Sequence, residues 1–363
     1  MNSTGNIVII GGGLSGLTLA YLLFQKGIEA TVLEASSRLG GRIQTIKGTQ
    51  GTPLELGATW LSDLHTNLLE LTNELGLTKY PQYSGGISLF QTKSFEPPQK
   101  FFVPEAENPS YRIAGGTQML IDRLAEELNK DHIHLNKKVS AIKQMDNDSL
   151  IVEVTGGTIF RADQVMICIP PQLAAAHITF TPELPETVTQ ILPAVQTWMA
   201  GALKFTIEYS EPFWRKEGYS GMLYSHAGMI VEMYDHTNFE EDKFGFIGFL
   251  NSGAAGYNYE VRKEFVLRQL VDLFGKEAAM PLDYQDKFWN DELLIAGNPT
   301  IQRPHQFNGH PLLQEVYMNG KLYFCGTETS LVYGGYMEGA VTSAKRIAER
   351  VIQTKLVPNE TIG

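Results

Sequence analysis

Asn6 to Ile10 is apolar after its first residue and too short for a helix, which predicts a buried strand. A run of small residues follows at once, Gly11-Gly12-Gly13-Leu14-Ser15-Gly16. From Leu17 to Lys26 the apolar residues Leu17, Ala20, Tyr21 and Phe24 recur at helical spacing, and Gly27 is a natural stop. Ala30 to Leu33 predicts a second strand, closing on Glu34. Further on, Val165 to Pro171 reads as another buried strand ending in two prolines. Gly201 to Ile207 is an apolar strand broken by one charge, Lys204. Leu322 to Thr329 reads as a strand and glycine turn, and Gly334 to Ala340 opens a helix expected over Val341 to Val351. The opening order of strand, glycine turn, helix and strand predicts an α/β fold with a Rossmann-like domain.

The glycine run fits G-x-G-x-x-G, and each position has a physical reason. Gly11 permits a tight turn, Gly13 lets the backbone approach a pyrophosphate, and Gly16 lets the helix pack on the strand. Leu14 and Ser15 lie where the helix start offers unpaired amides and a positive dipole end. Glu34 stands eighteen residues past Gly16, placed to accept from both hydroxyls of an adenosine ribose and to repel a 2′-phosphate. This unit predicts a dinucleotide without deciding between FAD and NAD.

Composition narrows the class. With 40 acidic against 29 basic residues the net charge is −11, which argues against nucleic acid and anionic membrane surfaces. Two cysteines, Cys168 and Cys325, imply no disulfide framework. No apolar run reaches the length of a membrane span, and the first residues lack a secretory leader. A cytoplasmic enzyme without a membrane anchor is the expectation. The eight histidines show no metal spacing, so no metal site is expected.

The decisive residues follow Glu34. Glu34-Ala35-Ser36-Ser37-Arg38-Leu39-Gly40-Gly41-Arg42 combines a strand-end acid with R-x-G-G-R, in which Gly41 lets the backbone pass a diphosphate and Arg42 supplies a forked cation. Here the chain resembles the flavin-containing amine oxidase family, which includes monoamine and polyamine oxidases. The resemblance continues through Gly57-Ala58-Thr59-Trp60, similar to the family's loop beneath the flavin, and Ile113 to Thr117, similar to its Gly-Gly segment. It extends to Val139, whose backbone meets the adenine in the family, and to Trp289, matching a tryptophan near the flavin. Near the end, Gly326, Glu328, Gly335, Tyr336 and Met337 match the block that contacts the flavin's ribityl chain and ring.

The resemblance implies FAD and an interleaved two-domain architecture. Residues 1–80, 111–193 and 292–363 would form the FAD-binding domain, and 81–110 with 194–291 an α+β substrate domain. It implies oxidation of an amine to an imine, with oxygen as acceptor and hydrogen peroxide released. Lys204 matches the family lysine that assists oxygen reduction through a water, although an outward-facing lysine on a half-buried strand is the plainer alternative. Tyr336 matches one of two substrate-flanking aromatics. Pro299 stands where the second is expected, leaving Tyr333 or Phe288 to fill the gap. Members with covalent flavin carry a cysteine where Asn298 stands, so non-covalent FAD is expected. Between Tyr83 and Tyr111 the chain is short and proline-rich where many relatives have a long helical insertion. Two readings of that thin wall are a homodimer whose partner covers it and a bulky substrate. Two other functions stay open: an FAD-dependent desaturase or dehydrogenase of an apolar substrate, and a non-catalytic FAD-binding module.

Overall fold

The computed structural model describes residues 6–146, 148–291, 293, 303 and 305–356, the side chains of 355 and 356 excepted. Its first layer is a six-stranded sheet. Ile7–Ile10 lies at the centre, with Gln164–Ile167 on one side and Ala30–Leu33 on the other, all parallel. Leu322–Phe324 extends the parallel run, and short strands at 133–134 and 316–317 form the edges. The central strand is buried throughout because both faces are covered. The first helix, Leu14–Phe24, and the last, Met337–Leu356, pack together on one face, with Leu19, Leu23, Ala344, Ile347 and Val351 buried against the sheet.

Both helices begin earlier than their apolar periodicity predicts. Gly13 sits in extended backbone as the N-cap, so the first helix starts inside the glycine motif at Leu14 and ends at Phe24, which is exposed. The last helix starts at Met337, two residues past Gly335 with its φ of 89°, and runs past Val351 to Leu356. For the first helix the cap, rather than the apolar stripe, sets the start.

The second layer is a seven-stranded sheet in the order Asp283–Phe288, Leu203–Tyr209, Phe244–Leu250, Ile230–Asp235, Tyr219–Ser225, Gly86–Gln91 and Gln99–Val103. The short segment between Tyr83 and Tyr111 thus supplies the hairpin at its edge. One face packs on the helix Tyr259–Phe274, burying Phe205, Ile207, Met233, Phe246, Val266 and Leu270. Fully burying such a side chain contributes roughly 1.5 to 3 kcal/mol. The opposite face carries Lys204, Phe249 and Glu232 as direct cross-strand neighbours. That face meets the loop Leu56–Leu61 from the first layer, where Lys204 donates to the carbonyl of Gly57 at 2.5 Å. A four-stranded sheet of Val139–Gln144, Leu150–Val154, Ile159–Ala162 and Thr179–Thr181 packs on the far side of the six-stranded one. Among the described residues no helix is long and apolar enough to cross a membrane.

Candidate active site

The two large sheets enclose a cavity of about 620 Å³. Its wall begins at the glycine turn. Gly11, Gly13, Leu14 and Ser15 line it, with Glu34 and Ala35 at the end of the second strand and Gly41 and Arg42 from the loop beyond. Gly57, Ala58, Thr59 and Trp60 form one side, Val139 and Trp289 close others, and Gly335, Tyr336 and Met337 stand at the start of the last helix. Lys204 reaches the wall from the seven-stranded sheet.

Three of the expected binding residues lie behind the wall. A Cβ on Gly16 would sit 2.0 Å from the Gly11 carbonyl oxygen, so this glycine serves helix-on-strand packing. Gly326 abuts the Ile169 backbone. Glu328 is fully buried and faces Arg42 Nη2 at 2.7 Å. Arg42 is therefore not a free fork: its other arm reaches the Trp198 carbonyl at 3.5 Å.

Glu34 is oriented by the backbone. Gly12 N–H donates to one carboxylate oxygen at 2.7 Å and Ser36 N–H to the other at 2.8 Å. A carboxylate so held has its remaining lone pairs fixed toward the cavity. Gly13, which caps the first helix without a side-chain bond, has room for a Cβ, whose nearest neighbour would be the Gly40 carbonyl at an ordinary contact distance of 3.9 Å. The first-turn amides therefore point into a cradle that a side chain would fill.

Lys204 is buried, 2% exposed, and the outward-facing alternative is excluded. Its Nζ donates to Gly57 O at 2.5 Å and to Thr59 Oγ1 at 2.6 Å. It lies 5.1 Å from the centre of the Trp60 ring and 5.7 Å from that of Phe249. Burial pushes its pKa down to about 7, the Glu55 carboxyl opposing and Arg112 adding to the shift. Glu55 is itself buried, accepting from Thr117 N–H at 2.5 Å and Thr45 Oγ1 at 2.9 Å, and burial raises its pKa. An amine near its midpoint at neutral pH can hold or release a proton.

Tyr336 is 42% exposed at the cavity mouth. Of the two residues left to fill the gap, Tyr333 meets it edge-on at 6.4 Å, whereas Phe288 does not face it. Tyr333 meets His65 edge-on at 4.9 Å, and Phe288 packs into the core behind the seven-stranded sheet. His305 also stacks on Tyr336 at 5.2 Å and on Trp198 at 4.6 Å, with its Nδ1 2.8 Å from the Gly334 carbonyl. His305 has a positive φ of 62° in the loop that carries it to the stack. Asn298 and Pro299 lie outside the described residues. The two cysteines sit one residue past their strands, and Cys168 also touches the cavity wall. Among the described residues no cluster of His, Cys, Asp or Glu could hold a metal.

Trp198, Phe249 and Glu232 also line the cavity, and sequence reasoning passed over all three. Trp198 precedes the lysine strand in an irregular segment with no motif. The signal for Phe249 and Glu232 was present only as strand register, which a single sequence does not display.

Fold and cavity together define a Rossmann-like dinucleotide-binding protein with a second, seven-stranded sheet facing the cleft. The family model for flavin containing amine oxidoreductase matches residues 14–91 and 82–352, so the chain belongs to that family and is an FAD-dependent oxidoreductase of amines. It is 26% identical to a probable flavin-containing monoamine oxidase A of Dictyostelium discoideum, covering 98% of this chain and 100% of the relative. That alignment runs over 467 positions against 363 residues here, so the relative carries long segments that this chain lacks. It is 25% identical to amine oxidase [flavin-containing] B of Sus scrofa, over 97% of this chain and 87% of the relative. Among solved structures, putrescine oxidase bound to putrescine has a TM-score of 0.82 at 22% identity, covering 96% of this chain and 99% of that one. Cyclohexylamine oxidase from Brevibacterium oxydans has a TM-score of 0.82 at 21% identity, over 97% and 100%. The cavity fits FAD on its own evidence: a glycine cradle at a helix start, the backbone-held Glu34 and the guanidinium of Arg42, which Glu328 holds from behind the wall, offer amides, an acceptor and a cation along one cleft.

Proposed function

We propose that the chain oxidises an amine to an imine with oxygen as electron acceptor and hydrogen peroxide as product. The observation that carries this reading is Lys204, buried in the cavity wall with Nζ held by Gly57 O and Thr59 Oγ1. An ammonium is costly to bury unless it is used. Bound FAD supplies the electron sink: hydride leaves the carbon beside nitrogen, and two electrons with two protons pass on to oxygen as peroxide.

The chain's own residues do the rest. The amides of the first helix start take the diphosphate, with Gly41 passing close beside it. Glu34 takes the ribose hydroxyls and Val139 the adenine. Met337 and Trp289 would support the ribityl chain and ring, and Glu328 would act from behind the wall by holding Arg42. The start of the last helix, which lines the cavity at Met337, would offer its positive end to negative charge on a bound flavin. Lys204 uses two of its three hydrogen-bonding positions on Gly57 and Thr59, leaving one for a water in the cavity. From there it donates a proton during oxygen reduction. Trp60, Phe249 and Tyr336 give the reacting end apolar and aromatic walls, which favour the neutral amine by desolvation. FAD is held without a covalent bond, and the seven-stranded sheet forms the substrate side.

The test is anaerobic bleaching of the purified flavoprotein by a panel of amines, followed by admission of air with peroxide measured. Bleaching by one amine class, with one peroxide per turnover, supports the reading. Stable yellow colour across the panel contradicts it and redirects the search to apolar desaturation substrates.

A further inference from the structure

Two thiols and a cation beside the cofactor cleft take no part in this chemistry. Cys168 and Cys325 are both free. They follow the parallel strands Gln164–Ile167 and Leu322–Phe324, whose last pair is Ile167 with Phe324. Cys325 N–H donates to the Ile167 carbonyl at 2.8 Å, so the ladder continues and the two cysteines are its next pair. Residues paired in register on neighbouring strands lie about 4.8 Å apart, inside the Cα window of about 4.4 to 6.8 Å for a disulfide. Alternation puts both side chains on the face that the first and last helices cover, with Met166 and Tyr323.

The surroundings favour negative charge on this pair. Arg346, on the last helix, donates through Nη2 to the Phe324 carbonyl at 3.1 Å and to Thr329 Oγ1 at 3.0 Å. Its Nε and Nη1 are buried without a hydrogen-bond partner, and among the described ion pairs it has no carboxylate. Its charge falls on Cys325 and Cys168. Ser15, at the start of the first helix, donates from Oγ to the Cys325 carbonyl and lies 3.7 Å from Cys325 Sγ. In its protonated form Cys325 donates to the Ser343 carbonyl at 3.5 Å. Burial works to raise its pKa, but hydrogen bonds with Cys168 and Ser15 and the charge of Arg346 outweigh burial and hold it below the ordinary range. Burial first, then Cys325, push the Cys168 thiol well above that range. The pair therefore gives up its first proton more readily than a lone buried cysteine. Cys168 and Ser15 both line the cavity, so a small reagent there reaches the pair at Cys168.

We propose that Cys168 and Cys325 form a dithiol that hydrogen peroxide closes reversibly to a disulfide beside the cofactor cleft. A thiolate on Cys168, its proton passed to Cys325, attacks one peroxide oxygen. The S–O bond forms, the O–O bond breaks, and hydroxide leaves as water with a solvent proton. The Cys325 thiol then attacks the Cys168 sulfur. The S–S bond forms, the S–O bond breaks, and the second hydroxide leaves as water with the thiol proton. The two thiols give up two electrons, and one peroxide becomes two waters. A reducing dithiol reverses the bond by exchange. The reagent is peroxide from any source, so the proposal stands apart from the amine-oxidation reading.

The experiment exposes the FAD-loaded full-length protein to graded hydrogen peroxide. Remaining thiols are alkylated under denaturing conditions, and unreduced peptides are mapped by mass. The expected product is a peptide pair joining Cys168 to Cys325, lighter by two hydrogens than its thiol forms together and separated again by dithiothreitol. Both thiols should disappear at the same rate. Cys168→Ser and Cys325→Ser should each abolish the joined pair and leave the other cysteine as a thiol or with added oxygen. Arg346→Lys keeps the charge and should retain closure. Arg346→Met should slow it about tenfold, the change in thiolate fraction for one unit of pKa. Persistence of both thiols at peroxide doses that oxidise the exposed Met280 overturns the proposal. So does oxygen on either cysteine of the parent without a joined pair. Equal closure in the parent and Arg346→Met overturns the part given to Arg346.

Discussion

The cofactor end and the substrate end of the cavity are built by different means. At the cofactor end the contacts are offered by backbone: the amides after Gly13, and the Gly12 and Ser36 N–H groups that hold Glu34. At the substrate end they are side chains, Lys204, Phe249, Glu232 and Trp60, brought together by strand register across the seven-stranded sheet. Backbone contacts demand glycine at fixed spacing and so mark the sequence. Side-chain contacts across strands demand only the right face, which many residues satisfy. Such a protein keeps its cofactor machinery recognisable while its substrate end is free to change.

The comparison can be broken by substitutions that should act at one end only. The largest effect is expected from Gly16→Ala. Its new Cβ meets the Gly11 carbonyl at 2.0 Å, and overpacking of backbone against backbone should cost about 3 kcal/mol or more. Thermal unfolding of the purified variant, with its bound FAD quantified, checks this. A stable variant with full FAD would remove the packing argument. Glu34→Gln should follow, weakening FAD about ten- to a hundredfold through loss of a charged acceptor. The rate of flavin reduction at saturating FAD should be preserved.

Smaller effects are expected at the substrate end, through Lys204. Its folded pKa of about 7 lies below the ordinary 10.5, so the unfolded chain binds more protons between these values. For this group stability rises with pH across that window, and the burial cost is present in full below about 7. The stability of Lys204→Met relative to the parent should therefore be greatest below pH 7 and shrink as pH rises toward 10.5. Unfolding midpoints of both proteins across that range test the sign. Smallest of all, Glu55→Gln should move the pH midpoint of flavin reoxidation downward, since Glu55 opposes the depression of Lys204. An upward shift would mean that Glu55 acts through structure.

What was legible in the sequence follows the same division. The opening strand, the glycine turn, Glu34 and the final helix block could be read directly, because close approach of backbone to a ligand leaves little choice of residue. Helix starts at Leu14 and Met337 precede the apolar stripes, the first because its cap at Gly13 rather than the stripe defines it. Lys204 was visible as one charge in an apolar strand, but its direction needed the Gly57 carbonyl, far away in the chain. Glu232 was invisible for a stronger reason. Simple alternation over Ile230 to Asp235 cannot locate a bulge, and without the bulge the residue changes face. The stacked His305 and Trp198 depend on irregular backbone that no periodicity encodes.

The account turns on Lys204 serving oxygen rather than the amine. Stopped-flow absorbance can separate anaerobic flavin reduction by substrate from reoxidation of the reduced protein by oxygen, in the parent and in Lys204→Met. A reoxidation rate lowered about a hundredfold or more, the cost of losing one preorganised donor, with reduction changed less than about tenfold, is the predicted result. Equal loss in both steps, or none in reoxidation, would contradict it.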